Sequence, residues 1–166
     1  GFAGLDTELS FNSPVHIKHI QTLGKWAQEG KFKYMGRRNE AGKNFRAGEC
    51  MLMTESSAGY AGIKKEAKFE FGIRHLPYYG GTNAPQNTII GGSSLWALSG
   101  KSKEENKATA AFLAFLSTTD IQAKWHQDTG YLGVTTAAAK KTKSAGFYKA
   151  NPGTDLAGVQ MMRNKV

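Results

Sequence analysis

Few residues in this 166-residue sequence could do chemistry. His16 and His19 stand three apart, a spacing that on a helix could offer two imidazoles to one metal ion. No Cys, Asp or Glu follows on the next turn of that face, so they read as solvated histidines. His126 and Asp128 are two apart, and helical neighbours at that spacing point to different faces rather than forming an acid–base pair. Cys50 is the only cysteine, which rules out an internal disulfide and a thiolate-rich zinc site. In the apolar run Cys50-Met51-Leu52-Met53 it is expected to be buried and inert. Gly-x-Ser-x-Gly and His-Glu-x-x-His are absent, and 13 acidic residues leave few carboxylate pairs. Bond-breaking chemistry lacks its parts, so binding is the better class and no cofactor or metal is expected.

Two places suit binding. Ser56-Ser57 follows the apolar run, where a serine can cap a helix and the first-turn N–H groups face whatever lies at the end of the run. An ordinary cap explains the same serines equally well. Gly91-Gly92 separates two apolar stretches, and paired glycines let a backbone approach a ligand or another segment closely. No Walker-type GxxxxGK[ST] accompanies them.

The elements that must hold these residues follow from periodicity. Ser13-Pro14 opens a helix over about 14–29, with Ile17, Ile20, Leu23 and Ala27 on one stripe and Gly30 as its stop. A short helix over 39–47 ends at Gly48. Cys50–Thr54 then reads as a buried parallel strand, and Ser56-Ser57 leads into a helix through Tyr60, Ile63 and Ala67. Phe69–His75 alternates as a strand, and Thr88–Ile90 and Leu95–Leu98 read as two more. Lys103–Ser117 is amphipathic, with Ala108, Ala111, Phe112, Phe115 and Leu116 facing inward. Thr118-Thr119-Asp120 caps the next helix, Gly130 stops it, and helices near 135–145 and 153–163 close the chain. Trp96 is expected in the core as a strand residue, and Trp26 and Trp125 on helical stripes. The order of elements argues for an α/β fold with a small sheet. The last residues stop in mid-pattern without a C-cap, which reads as a truncated end.

Composition is that of a globular chain: 40% hydrophobic, 11% aromatic and 21% charged. No stretch approaches the roughly 20 apolar residues that span a bilayer, and the first residues show no signal-peptide pattern. The formal charge is +9, but its basic clusters are short and scattered, such as Lys64-Lys65 and Lys140-Lys141. That argues against nucleic acid and fits a small anionic ligand or simple solubility.

Three segments together resemble one family: Phe45–Ser57, Ala84–Trp96 and Trp125–Leu132, with Gly146–Gly153 agreeing. They look like the extracytoplasmic solute-binding proteins of ABC importers, in particular the branch that captures sn-glycerol 3-phosphate. The resemblance covers nearly all of this chain but only the later part of the family's. It implies a periplasmic-binding-protein-like (type II) two-lobed clamp, here a partial chain. Residues 1–74 would belong to the second lobe, 75–117 would cross the hinge and contribute to the first lobe, and 118–166 would return. It further implies a periplasmic or otherwise extracytoplasmic location, delivery to membrane permease subunits, and a monomer when whole. Carried over residue by residue, Ser56, Gly92 and Tyr131 become ligand contacts, able to donate from a hydroxyl, an amide and a phenol to phosphate or hydroxyl oxygens. The family's ligand-binding arginine has no counterpart at Arg74 or Arg163. Where the family has proline after Tyr-Leu, this chain has Gly133, which loosens that turn. An oligosaccharide-binding relative is the alternative within the class; a basic nucleic-acid-binding domain and a phosphatase are the alternatives outside it.

Overall fold

The computed structural model of the chain describes residues 8–81, 88 and 91–163. They divide into two units, one ending at Ala41 and one starting at Gly42. In the first, α1 (Pro14–Gln28) begins where the sequence places it, with Ser13 extended and Pro14 at the first position. The Ser13 hydroxyl, however, meets Nδ1 of His16 at 2.7 Å instead of capping a backbone N–H. The chain leaves through Gly30, whose φ of +72° suits glycine, and the Trp26 carbonyl accepts from both Lys31 and Phe32. α1 buries no residue, so its apolar stripe is uncovered among the described residues.

The second unit carries the rest. α2 (Gly42–Arg46) and α3 (Tyr60–Glu66) are tied by the Arg46–Glu66 ion pair at 2.7 Å. α4 (Lys103–Leu116) begins in a complete capping box: Ser102 Oγ accepts from Glu105 N at 3.1 Å, and Ser102 N donates to Glu105 Oε2 at 2.8 Å. α5 (Thr119–Thr129) follows, but the Thr118 hydroxyl donates back to the Phe115 carbonyl and does not cap it. Gly130, left-handed at φ +83°, ends α5 as its position predicts. α6 (Thr136–Ser144) is capped by Thr135, whose Oγ1 accepts from Ala138 N. α7 (Phe147–Ala150) and α8 (Leu156–Met161) close the described chain. No described helix is long and apolar enough to cross a membrane.

The core of this unit lies where α5, α6 and α7 meet. Ala123, Ala138 and Thr142 are buried, and small residues at these positions let α5 and α6 approach closely. The Gln122 amide spans the α4–α6 turn region, donating to the Leu116 carbonyl and accepting from Val134 N. Gln160 of α8 accepts from Leu76 N, and Gly153 sits against Ile73, so the segment after α3 is pinned to α8 and the turn before it.

The α/β expectation holds only in its helical half: no β-strand forms among the described residues. Cys50–Thr54, Phe69–His75 and Leu95–Leu98 are neither helix nor strand, and Thr88–Ile90 lies mostly outside the described residues. A strand exists only through a hydrogen-bonded neighbouring strand, and no strand pairing forms among the described residues. Met51 and Leu52, expected inside a parallel sheet, are 96% and 90% exposed, and Cys50 is only partly covered. For the same reason Trp96 is 85% exposed rather than core. Trp26 and Trp125 are about half-exposed, and so are Phe112 and Phe115 on the face of α4 read as inward.

Candidate functional site

The Ser56 junction has the geometry its sequence implies. Ser56 is extended at φ −62°, ψ 145°, and its Oγ accepts from Ala58 N at 3.3 Å, starting a 3₁₀ turn over Ser57–Gly59 that runs into α3. The Glu55 carboxylate folds over this turn and accepts from Ser56 N at 2.7 Å. Ser56 itself is exposed.

Against this turn lies the end of α5. A Cβ on Gly130 would collide with the Ser57 carbonyl oxygen and stand 3.3 Å from Tyr60 Cβ, so only glycine allows the approach. The contact joins the Ser56-Ser57 turn to the Gly130-Tyr131 turn, and two of the three residues implied by the family resemblance sit on adjoining loops. Tyr131 is 46% exposed, with its ring partly open to solvent. Gly92, at φ +105°, is exposed, and among the described residues nothing beyond its chain neighbours comes within 4 Å of a Cβ built on it. The structure therefore brings the turns that carry Ser56 and Tyr131 together through Ser57 and Gly130, and gives Gly92 no such neighbour among the described residues.

Behind Tyr131 stands a buried polar cluster that the sequence reading missed. His126, 4% exposed on the last turn of α5, places Nδ1 at 2.8 Å from the Tyr131 carbonyl and Nε2 at 3.1 Å from the Tyr148 hydroxyl. Burial, helped by the negative charge of Asp155, pushes the Tyr148 phenol above its ordinary pKa and keeps it protonated. Asp128 pairs with Lys124 at 2.7 Å, so it and His126 serve different partners and form no dyad, as their spacing predicts. The available signal was His126's position four residues before a left-handed glycine. A side chain there reaches the backbone just past the cap.

A groove of about 340 Å³ lies between α3, α5 and α7, walled by Tyr60, Lys64, Gln127 and Asn151 among others. Asn151 is its hub, accepting from Tyr60 Oη at 3.0 Å and Lys64 Nζ at 2.5 Å while donating to the Phe147 carbonyl at 3.0 Å. The Lys64 ammonium is thus held by a neutral amide oxygen and lies over the Tyr60 ring, 5.8 Å from its centroid. Among the described residues no group of three or more His, Cys, Asp or Glu gathers to hold a metal ion.

Comparison with known proteins gives this geometry a context. The chain is 50% identical over 163 residues to the sn-glycerol-3-phosphate-binding periplasmic protein of Yersinia pseudotuberculosis, an alignment covering 98% of this chain and 37% of that protein. It is 49% identical to the protein of that name from Rhizobium meliloti and 45% identical to the one from Salmonella typhimurium, with the same coverage. The chain thus spans about 37% of the length of these curated relatives. Residues 4–154 match the family described as bacterial extracellular solute-binding protein. With so much of its length matched, the chain belongs to the bacterial extracellular solute-binding protein family.

Proposed function

We propose that this chain is part of the substrate-binding component of an ABC importer, which captures sn-glycerol 3-phosphate or a glycerophosphodiester outside the cytoplasm and delivers it to membrane permease subunits. The observation that carries the reading is the half-identity, across 98% of the chain, to periplasmic proteins named for that ligand. The contact between Gly130 and Ser57 supports it, because it sets the Ser56 and Tyr131 turns side by side. On this reading the whole protein is a type II two-lobed clamp, with residues 1–74 and 118–166 in the second lobe and 75–117 crossing to the first. Ser56, Gly92 and Tyr131 donate to ligand oxygens, the lobes close by a hinge motion that the ligand favours, and no bond is made or broken. The apolar runs left open here, Met51-Leu52 and Leu95–Leu98, are then strands whose neighbours belong to the longer protein.

Calorimetry on the full-length protein tests this. Sn-glycerol 3-phosphate binds and maltose does not, and Ser56→Ala and Tyr131→Phe each weaken binding by about 10-fold or more, as loss of a hydrogen bond to a charged group does. Preference for the sugar, or phosphate binding indifferent to both substitutions, overturns the assignment.

A further inference from the structure

The two bonds of His126 fix its tautomer. A carbonyl oxygen only accepts, so the Nδ1 that faces Tyr131 at 2.8 Å carries the proton. In the neutral ring Nε2 is then a bare lone pair, and the Tyr148 hydroxyl at 3.1 Å donates to it. Phe147 and Tyr148 pack edge-on against the ring at centroid distances of 6.0 and 5.7 Å, and its two hydrogen bonds favour this orientation. The tied carbonyl sits directly after left-handed Gly130 and two residues before Gly133, where flanking glycines would otherwise let the Tyr131 peptide swivel.

We propose that His126 is a positioning residue for ligand capture: its Nδ1–H anchors the Tyr131 carbonyl and so aims the Tyr131 phenol, while Tyr148 locks the imidazole in the tautomer that can do so. The inference rests on the reading of Tyr131 as a ligand contact. Pre-aiming the phenol removes an ordering cost that binding would otherwise bear.

Two substitutions in the full-length protein divide the roles. His126→Asn sets an amide nitrogen near the place of Nδ1, keeping the tie to Tyr131 and losing Tyr148. His126→Gln reaches toward Tyr148 and loses the tie. Calorimetry with sn-glycerol 3-phosphate is expected to show His126→Asn within about 3-fold of the parent and His126→Gln weaker by about 10-fold, with similar unfolding midpoints for the two variants. Nitrogen-15 NMR of the parent is expected to show the proton on Nδ1 of His126. Equal affinities for the two variants, or a proton on Nε2, overturns the proposal. Tyr131→Phe separates the two readings. If it binds like the parent, the assignment of Tyr131 to the ligand fails and the proposal falls with it. If it binds weakly while both His126 variants bind like the parent, only the positioning role fails.

Discussion

α4 and the α5–α7 cluster adjoin in sequence, and both are amphipathic or well bounded on paper, yet they are stabilised differently. α4 has the better local signals: a full capping box, two glutamates in its first turn and a run of strong helix formers. It buries nothing, and Phe112 and Phe115 remain more than half exposed. α5 lacks a side-chain cap and carries no such box, but it buries Ala123 and His126 against α6 and α7. An apolar stripe therefore states which face of a helix wants cover, whereas burial depends on what the rest of the chain brings to it.

The sharpest way to break this contrast is to add one methyl group to each region. Gly130 and Gly100 have nearly the same backbone, at φ +83° and +77°, so Ala pays the same left-handed strain of about 1–2 kcal/mol at either. At Gly130 the Cβ also meets the Ser57 carbonyl, while at Gly100, among the described residues, nothing beyond the chain neighbours lies within 4 Å. Gly130→Ala is expected to cost about 3 kcal/mol or more and Gly100→Ala no more than about 2, measured by urea unfolding. Equal costs would mean that the Ser57–Gly130 contact does not hold in solution.

A smaller effect sharpens the other side. Ser102→Ala removes the cap that α4 depends on, with an expected loss of about 1 kcal/mol seen as reduced helicity in circular dichroism. Because α4 has no buried residue to hold it, fraying should spread along α4 and leave α5–α7 intact; amide exchange resolved by residue distinguishes the two.

How much of this was legible follows the same division. The start of α1 at Pro14 and the end of α5 at Gly130 were readable from neighbours in sequence, whereas the caps at Ser102 and Thr135 were not singled out and the one read at Thr118 does not form. The turn at Ser56 was readable because a cap is a local event. The strands were not, since Met51-Leu52 and Leu95–Leu98 have the right pattern but no pairing neighbour among the described residues. Trp96 was misplaced for that reason. The choice of Ser56 and Tyr131 as ligand contacts came from family resemblance, while the approach of their turns through Ser57 and Gly130, which a Cβ at Gly130 would block, appears only in three dimensions. His126 was dismissed as half of a dyad with Asp128, a sound argument about helix faces that left its actual partners, Tyr131 and Tyr148, unasked.

The two regions should also titrate from opposite ends of the pH scale. In α4, the Ser102 backbone N–H, and after it the Ser102 side chain, hold the Glu105 carboxyl below its ordinary value of 4.5. A depressed folded pKa means the capping contribution is present above the unfolded value and is lost as pH falls through the folded one. In the α5–α7 cluster, burial and then Asp155 raise Tyr148 above 10.0, so its contribution is intact below the unfolded value and is lost as pH rises through the folded one. Carbon-13 NMR of the Glu105 carboxyl should show a midpoint under 4.5 that moves part of the way upward in Ser102→Ala, with Tyr148 untouched. Absorbance at 295 nm should show one tyrosine ionising late, and Tyr148→Phe should delete that late step without moving Glu105. Glu105 is exposed, so the two Ser102 hydrogen bonds, not burial, lower its pKa. Ser102→Ala keeps the backbone N–H that donates to Glu105, so only part of the shift is expected to be lost; a Glu105 midpoint unchanged by it would show that the Ser102 hydroxyl makes no contribution in solution.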